Sequence, residues 1–382
     1  MKIKILGLIV FICGSAYSNS PWSSDYSEVA SRAIAENKHI MVTIYNDVKS
    51  RKYIESLEAD SNLNRVLHKK FIPLKINATL NNDINWAAKF LISEFPTQII
   101  MTPNGQIYNK VKGEIPLEGD DNFVEFIESS KRKIRNEDAY FGYSTELKPI
   151  IPEFVNQFFN DSNHTEIQNE IVQNYWDTCT DFYSENSFRV MYCFGGNSTI
   201  DQLYIDSFKF FRAQFGYDDS YFIVREIAKK RIRPMIEEHH RLNYLTAVDL
   251  AKSLIHPFEH DKFEEEMREE WIVKNEMWNQ YIVMMEKQRM AVGKKKFNVY
   301  TFDKIIANCN DKDILKISRD WLASDIEKEA TLEKQVLYAK LLFKLKAKRE
   351  LIPAIKKAID YSTKEGADTV ALHEMLIKLI EN

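Results

Sequence analysis

The chain has 382 residues, of which 45% are hydrophobic and 28% charged, and its net charge is -4. The apolar fraction predicts packed cores and excludes a disordered chain, while the near balance of acidic and basic residues gives no footprint for nucleic-acid binding. At this length we expect two domains.

The first residues have the pattern of a secretory signal peptide. Two lysines precede an apolar run from Ile5 to Cys13, and small residues follow it up to Ser18. A membrane-spanning helix needs about 20 apolar residues, and this run is shorter and leads directly into polar residues. We therefore expect residues 1–18 to be a signal peptide, and the protein to be exported to the periplasm or the extracellular space.

Cys13 leaves a second possibility open, a lipid anchor. Bacterial lipoprotein signals place a small residue directly before the modified cysteine, whereas this chain has Ile12 there. Later stretches lack the roughly 20 apolar residues that a bilayer crossing needs. The sequence thus predicts no membrane span once the signal is removed.

Helical and strand patterns alternate up to residue 135. Helical spacing of apolar residues predicts helices, and β-branched or aromatic runs predict strands. The predicted elements are helices over 27–37, 53–67 (interrupted near Asp60), 86–91 and 122–135, and strands over 39–45, 71–76, 97–101 and 106–111. Pro103-Asn104-Gly105 is a hairpin turn signal. The alternation predicts a parallel sheet, to which the closing hairpin adds an antiparallel edge.

This stretch resembles the thioredoxin superfamily. The resemblance is carried by the order of elements, by Trp22, Ala33 and Glu36-Asn37-Lys38 before the first long strand, by Phe95-Pro96-Thr97, and by Pro103-Asn104-Gly105 with Gly113 beyond it. The nearest branch is the exported one that includes the C-terminal domain of the periplasmic disulfide-reductant transporter. The resemblance implies an α/β thioredoxin-like domain over 19–138, with Pro96 as the cis-proline beside the active site.

The reactive cysteine pair of that superfamily is missing. By the resemblance, its two places fall on Lys49 and Lys52, and no cysteine lies between residues 19 and 138. Disulfide exchange requires thiolate attack through a mixed disulfide, which a lysine amine cannot perform. The sequence therefore predicts a redox-inactive domain.

A basic helix start and the proline loop remain at the place where this chemistry is lost. Backbone amides and basic side chains there can hold a phosphate, sulfate or carboxylate, although a solvated basic loop is the alternative. Phe95 either extends the peptide groove of active relatives or packs into the core. We call these residues the degenerate corner: Lys49, Ser50, Arg51, Lys52, Phe95, Pro96 and Thr97.

Beyond about residue 140 the patterns are helical. Pro149 and Pro152 mark the boundary, which predicts an all-α domain over residues 139–382. Helical patterns recur over 151–160, 165–184, 200–213, 220–238, 244–255, 258–290, 301–308, 312–327, 331–346, 350–363 and 367–381.

The last three patterns resemble a tetratricopeptide-like tail. Tyr338-Ala339 with Leu341-Leu342 fits its first helix, and Ala354-Ile355 with Ala358-Ile359 fits its second. Lys346 stands at a turn position that is often Gly, so the complete repeat consensus is absent. We expect an array of helical hairpins, which commonly offers a concave binding surface.

Three cysteines remain after signal removal: Cys179, Cys193 and Cys309. In an oxidising compartment an odd number predicts at most one internal bridge. Cys179 and Cys193 are the closer pair, so we expect a structural disulfide between them, with two buried free thiols as the alternative.

His256-Pro257-Phe258-Glu259-His260 matches the H-x-x-E-H pattern of inverted zinc peptidases. Pro257 most naturally starts a helix, which leaves His256 at the cap rather than on the helix. The match is therefore interpreted as coincidence, and neither a metal nor a cofactor is predicted.

Three functional hypotheses follow. The first is a non-catalytic exported protein that binds a polypeptide or an envelope protein through a redox-inactive thioredoxin-like module. The second is a thiol-disulfide enzyme that uses Cys179 and Cys193. The third is a zinc hydrolase that uses His256, Glu259 and His260.

Overall fold

The computed structural model describes residues 22–78, 84–116, 121–160, 169–291 and 299–365, and residues 370, 373 and 374. The predicted signal peptide, Cys13 and most of the last predicted helix lie outside the described residues, as do the side chains at 47–49, 121, 289, 291 and 364–365. The chain divides into two compact units, of which the first ends at Ile227 and the second begins at Ala228. The predicted boundary near residue 138 stays a prediction.

The first unit begins with alternating helices and strands, as predicted. The elements are α1 (Tyr26–Ala35), β1 (His39–Tyr45), α2 (Asp47–Ala59), α3 (Ser61–Leu67), β2 (Phe71–Asn77), α4 (Trp86–Phe90), β3 (Thr97–Met101), β4 (Ile107–Lys112) and α5 (Asp121–Arg135). Asp60 separates α2 from α3. It is the N-cap of α3, because its side chain accepts hydrogen bonds from the backbone amides of Asn62 and Leu63. The predicted interruption near Asp60 is confirmed.

The four strands form one mixed sheet in the order β2-β1-β3-β4. β1 and β2 are parallel, whereas β3 is antiparallel to both β1 and β4. The predicted parallel pairing is found between β1 and β2, and the predicted hairpin of β3 and β4 adds the antiparallel side of the sheet through β3. The five residues of α4 span only about 8 Å, against about 23 Å for a seven-residue strand, so α4 does not return the chain to the other end of the sheet.

One face of the sheet packs against α2, α3 and α5. The buried core on this face includes Trp22, Met41, Leu57, Phe71, Ile100 and Phe126. The Trp22 indole donates to Asn64 Oδ1 at 2.9 Å, so its one polar atom is satisfied inside the core. Ser23 lies beside β2, since Lys75 donates its amide to Ser23 O at 2.9 Å.

The rest of the first unit is helical. The helices are α6 (Glu153–Asn160), α7 (Asn169–Thr178), α8 (Glu185–Phe194), α9 (Ser198–Asp206), α10 (Phe208–Phe215) and α11 (Tyr217–Glu237), of which α11 crosses the division at Ile227. α8 was not predicted from the sequence, and α7 ends at Thr178, before the end of the helix predicted over 165–184. Stacked aromatic rings fill the space between these helices, with Phe188 and Phe215 centroids 3.8 Å apart.

The second unit is also helical. Its helices are α12 (Arg241–Lys252), a 3-10 turn (Pro257–Glu259), α13 (His260–Lys274), α14 (Trp278–Ala291), α15 (Val299–Asn308), α16 (Lys312–Lys328), α17 (Leu332–Lys344) and α18 (Lys348–Glu365). The predicted helix over 258–290 is two helices, because the chain turns at residues 275–277. An α/β part followed by helices is therefore confirmed.

Helices α17 and α18 form the predicted hairpin. Their buried contact includes Ala339, Leu342, Leu351 and Ile355. Lys346 occupies the turn in the left-handed region, with φ +57, and the Ala347 amide donates to Leu342 O at 3.0 Å. Of the helices that the structure describes, none combines the length and apolar composition needed to cross a membrane.

Candidate functional site

The degenerate corner begins where β1 passes into α2. Ser50 is fully buried and does not reach the surface. Arg51 and Lys52 are exposed, and Arg51 Nε lies 3.1 Å from Glu55 Oε1 one turn further along α2. The side chain of Lys49 lies outside the described residues. Lys52 is thus the described cation of the corner that has no side-chain ion pair within the described chain.

The second part of the corner is the loop between α4 and β3. The peptide bond between Phe95 and Pro96 is cis, as the resemblance implied. Pro96 and Thr97 are buried, and Thr97 Oγ1 donates to Glu94 O at 2.6 Å. The Gly113 amide donates to Pro96 O at 2.8 Å. The loop is therefore fixed on both sides of the cis bond.

Gly113 is required for this approach. Its φ of +83 lies in the left-handed region, and a Cβ there would come within 2.9 Å of Glu94 Oε1. A residue with a Cβ would therefore have a strained backbone there, whereas the exposed Glu94 side chain could move aside at little cost.

Phe95 leaves its backbone available. Its side chain is half-buried. Within the described part of the chain, neither its amide nor its carbonyl makes a hydrogen bond. A backbone donor and acceptor at a fixed loop can pair with an extended segment of another polypeptide.

Tyr192 of α8 brings the helices to the same loop. Its hydroxyl lies 2.8 Å from the Ser93 hydroxyl and accepts a hydrogen bond from Lys112 Nζ. The Lys112 ammonium also lies 4.6 Å from the centroid of the Tyr192 ring. Lys112 ends β4 and pairs with Thr97 across the sheet. These contacts join α8 to both strands beside the cis bond.

The Lys112 side chain continues inward to a buried carboxylate. Asp219, in the first turn of α11, lies 2.9 Å from Lys112 Nζ through Oδ1. Its Oδ2 accepts hydrogen bonds from Lys110 Nζ and from the Tyr143 hydroxyl. Lys110 also donates to Phe90 O at 2.8 Å, at the end of α4. We call Lys110, Lys112, Tyr143 and Asp219 the buried charge cluster.

The cluster holds opposite charges together in a buried place. Burial raises the pKa of Asp219, but the two lysines outweigh that effect and hold the pKa below its usual range. Burial lowers the pKa of Lys110 to about 8. For Lys112, burial also lowers the pKa, but Asp219 and Tyr192 outweigh it and raise the pKa above its usual range. All three groups are thus predominantly charged at neutral pH.

Tyr192 does not activate Ser93. Burial raises the pKa of Tyr192, so its hydroxyl is protonated at neutral pH. The protonated phenol accepts a hydrogen bond from Lys112 and can donate one to the Ser93 hydroxyl, but it cannot remove a proton from Ser93 as a general base would. The chain of contacts therefore positions the loop and supplies no nucleophile.

A second pair of charges holds α4. Arg189 of α8 is fully buried and donates to Ala88 O at 3.2 Å and to Lys89 O at 3.1 Å, which satisfies carbonyls at the end of α4. Its guanidinium also pairs with Glu185 at 2.6 Å. Lys89, also fully buried, donates to Ser144 O at 2.7 Å. The element that precedes the loop is thus fixed by later parts of the chain.

The thiols differ from the prediction. Cys179, Cys193 and Cys309 are all free, so the expected bridge is not formed in this structure. Cys179 Sγ lies 3.2 Å from Ser187 Oγ near the start of α8. Cys193 is six residues further along that helix, which is about 9 Å along its axis, whereas a disulfide joins Cα atoms no more than about 7 Å apart. Burial raises the pKa of Cys193, which keeps the thiol protonated and weakly nucleophilic.

The histidine motif is split between two elements. His256 caps the 3-10 turn that Pro257 starts, as predicted. His260 begins α13, and its Nε2 lies 2.9 Å from Ile255 O. The two histidines therefore do not share one helix face. Among the described residues, no group of three or more His, Cys, Asp or Glu side chains is placed to hold a metal ion.

The residues that position the loop were not predicted from the sequence: Ser93, Lys110, Lys112, Tyr192 and Asp219. One signal was available, because Lys110 and Lys112 are two residues apart at the end of the strand predicted over 106–111, and one more strand residue would place both on one face. Two lysines on one strand face call for a carboxylate when that face is covered. Their partner Asp219 is 109 residues from Lys110, and nothing in the sequence pattern identifies it.

No family model and no curated protein matches the chain. The geometry of the corner must therefore carry the functional inference. It offers an unpaired backbone at Phe95, a fixed loop and exposed basic side chains, and it contains no thiol.

Proposed function

We propose that the protein is an exported, non-catalytic binding protein with a thioredoxin-like first part, and that it binds an extended polypeptide at the Phe95 loop. The partner is a polypeptide or an envelope protein. The predicted signal peptide is the basis for export to the periplasm or the extracellular space.

The thioredoxin-like part of the proposal is supported by the four-stranded mixed sheet in the order β2-β1-β3-β4. The loop that precedes β3 stands beside the start of α2 in that family, where the reactive cysteines would be. Here those places hold Lys49 and Lys52. Without a thiolate, disulfide exchange has no attacking group.

The single observation that carries the binding role is the unpaired backbone of Phe95 in a fixed loop. Buried or fixed backbone groups are normally paired, and an extended partner would satisfy both. The exposed side chain of Lys52 favours a partner segment with acidic residues.

A blocking substitution beside Phe95 tests this role. Glu94 is exposed and neighbours Phe95, so Glu94→Trp covers the backbone without entering the core. The matched control is Glu125→Trp on α5, which replaces another exposed glutamate in the same unit. The probe is a fluorescently labelled, permanently unfolded polypeptide that contains acidic segments, and its binding is followed by anisotropy.

We expect Glu94→Trp to weaken the probe at least about tenfold, which corresponds to roughly 1.4 kcal/mol of binding free energy. Glu125→Trp should leave the affinity within about twofold of the parent protein. Equal affinity of both variants would exclude the Phe95 loop as the binding site.

The thiol-disulfide alternative is favoured by one observation, the position of Cys193 directly after Tyr192, which contacts the loop. Its raised pKa argues against it. We expect no insulin reduction above background by the parent protein. Turnover that Cys193→Ser or Cys179→Ser abolishes would establish the alternative instead.

Helices α17 and α18 support a tetratricopeptide-like tail in the proposal. α17 and α18 bury a continuous apolar contact, and their turn has the length of a helical hairpin. In this proposal the tail serves interaction rather than catalysis.

A further inference from the structure

A groove in the second unit lies between α13 and α14. Its volume is about 370 Å³, and its floor is apolar, formed by Ile272, Val283 and Met284. Val283 is 51% exposed. Met284 is half-buried and Ile272 is buried. The groove therefore exposes the Val283 side chain and part of Met284 to solvent, between two helices that otherwise carry many charges.

The groove also has two cations, Arg268 and Lys287. Both are exposed, and neither forms an ion pair or a hydrogen bond within the described part of the chain. No carboxylate is among the described side chains that line the groove.

The acidic side chains of α13 are engaged elsewhere. Glu266 lies 3.3 Å from Lys229, and Glu270 lies 3.6 Å from Arg233. Glu269 pairs with Lys304 at 2.5 Å. Glu264 pairs with Lys252, and Glu265 accepts a hydrogen bond from Gln288 at 2.7 Å. These carboxylates of α13 thus have partners other than Arg268 and Lys287, which keep their positive charge for a ligand.

The two cations stand at one end of the groove. Arg268 is six residues before the end of α13, about 9 Å from the turn, and Lys287 is nine residues after the start of α14, about 14 Å from it. The turn end of the groove has two exposed amide side chains, Asn279 and Gln280. Charge, apolar floor and amides therefore follow one another along the groove.

We infer that this groove binds a peptide segment with acidic residues at one end and apolar side chains directly after them. The cations would hold the carboxylates, the floor would cover the apolar side chains, and the amides would hydrogen-bond the peptide backbone. An inorganic anion would leave the apolar floor in water, so it uses only part of the site. This inference is independent of the role of the Phe95 loop.

The test uses the full chain without its signal and capped, labelled peptides. An acidic and apolar peptide contains Glu-Glu-Ala-Leu-Leu, with its termini acetylated and amidated so that only side chains carry charge. One comparison peptide replaces both Glu by Gln, and another replaces both Leu by Ser. Further peptides vary the number of residues between the acidic and the apolar side chains, so that one of them matches the distance between the groove cations and the apolar floor.

The protein variants are matched in charge. Arg268→Glu with Lys287→Glu reverses the two groove cations. Lys262→Glu with Lys274→Glu reverses two exposed cations on other faces of α13 and gives the same net charge. Val283→Ser removes part of the floor, and Leu250→Ser, at a site that is 69% exposed on α12, is its control.

We expect the acidic and apolar peptides to bind, and each comparison peptide to bind at least about tenfold more weakly. The groove reversal should weaken binding by at least about tenfold, and the control reversal by less than about twofold. Val283→Ser should weaken binding, whereas Leu250→Ser should not.

Two results would overturn the inference: failure of every acidic and apolar peptide to bind, and equal loss with both charge reversals. If no peptide binds, vesicle binding that requires anionic lipid and is lost with the groove reversal would assign the two cations to a lipid surface instead. None of these results depends on Glu94→Trp, so the failure of one site is distinguishable from the failure of the other.

Discussion

Asp219 is a buried carboxylate between two lysines, and removal of one member of such a pair leaves a buried charge without compensation. We therefore expect Asp219→Asn to destabilise the protein by about 3 kcal/mol, measured by urea unfolding. The control is Asp177→Asn, an exposed carboxylate that accepts from Gln173, which should cost less than about 0.5 kcal/mol. Equal effects would mean that the cluster contributes no particular stability.

The pH dependence of stability in the acid range is a second measure of the ion pairs between Asp219 and the two lysines. The pKa of Asp219 is lowered in the folded protein, while an unfolded Asp titrates at about 3.9. Its stabilising effect is thus complete above about pH 4 and is lost as the pH falls toward the folded value. The difference in melting temperature between the parent protein and Asp219→Asn should narrow below pH 4. If the difference in melting temperature stayed constant as the pH falls below 4, the ionised Asp219 carboxylate would not be the source of the stability.

Residues whose role depends on near neighbours were predictable. The absence of cysteine from residues 19–138 was visible in the sequence alone, and the resemblance implied the cis bond before Pro96. Asp219 was not predictable, because its role arises from contacts with strand β4 across 109 residues. The Cys179 to Cys193 bridge failed for a related reason, since sequence proximity was taken as spatial proximity.

Among the elements, the hairpin of α17 and α18 contains one residue, Lys346, in an unfavourable backbone conformation. Lys346 has φ +57, a conformation that costs residues with a Cβ but not glycine. Lys346→Gly should therefore stabilise the protein by about 0.5 to 1 kcal/mol in urea unfolding. Lys356→Gly, at an exposed interior position of α18, should instead destabilise it by about 1 kcal/mol. The same sign for both variants would show that the turn conformation is not limiting.

Elements were predictable where their own pattern was strong. β1 is a β-branched and aromatic run and β2 is a mostly apolar one, and both were placed within a residue of their observed ends. α8 was missed because its sequence, ENSFRVMYCF, combines aromatic and β-branched residues that fit a strand equally well. It is a helix because Ser184 caps it and because Phe188 and Arg189 are buried by neighbouring segments.

For the whole molecule, the question is whether the sheet and its helices α1 to α5 can fold without the rest of the first unit. The sheet with α1 to α5 is the part that resembles a thioredoxin-like domain, but its edge depends on later residues. Lys110 needs Asp219, Lys89 needs the Ser144 carbonyl, and the Ile107 carbonyl accepts the Tyr140 amide at 2.8 Å. A fragment that ends at residue 138 would leave two lysines without the partners that stabilise them in a buried position.

We therefore expect the fragment 22–138 to be largely unfolded, and the fragment 22–239 to fold with a cooperative thermal transition. The longer fragment ends just past α11, where His239 has φ +56 and the helix has stopped. It keeps Asp219 and α8, and therefore both sets of contacts that hold α4 and β4. Circular dichroism and two-dimensional NMR spectra of the two fragments provide the measurement. A dispersed spectrum and a cooperative transition for 22–138 would show that the sheet folds without the helices from α6 to α11 and without the buried charge cluster.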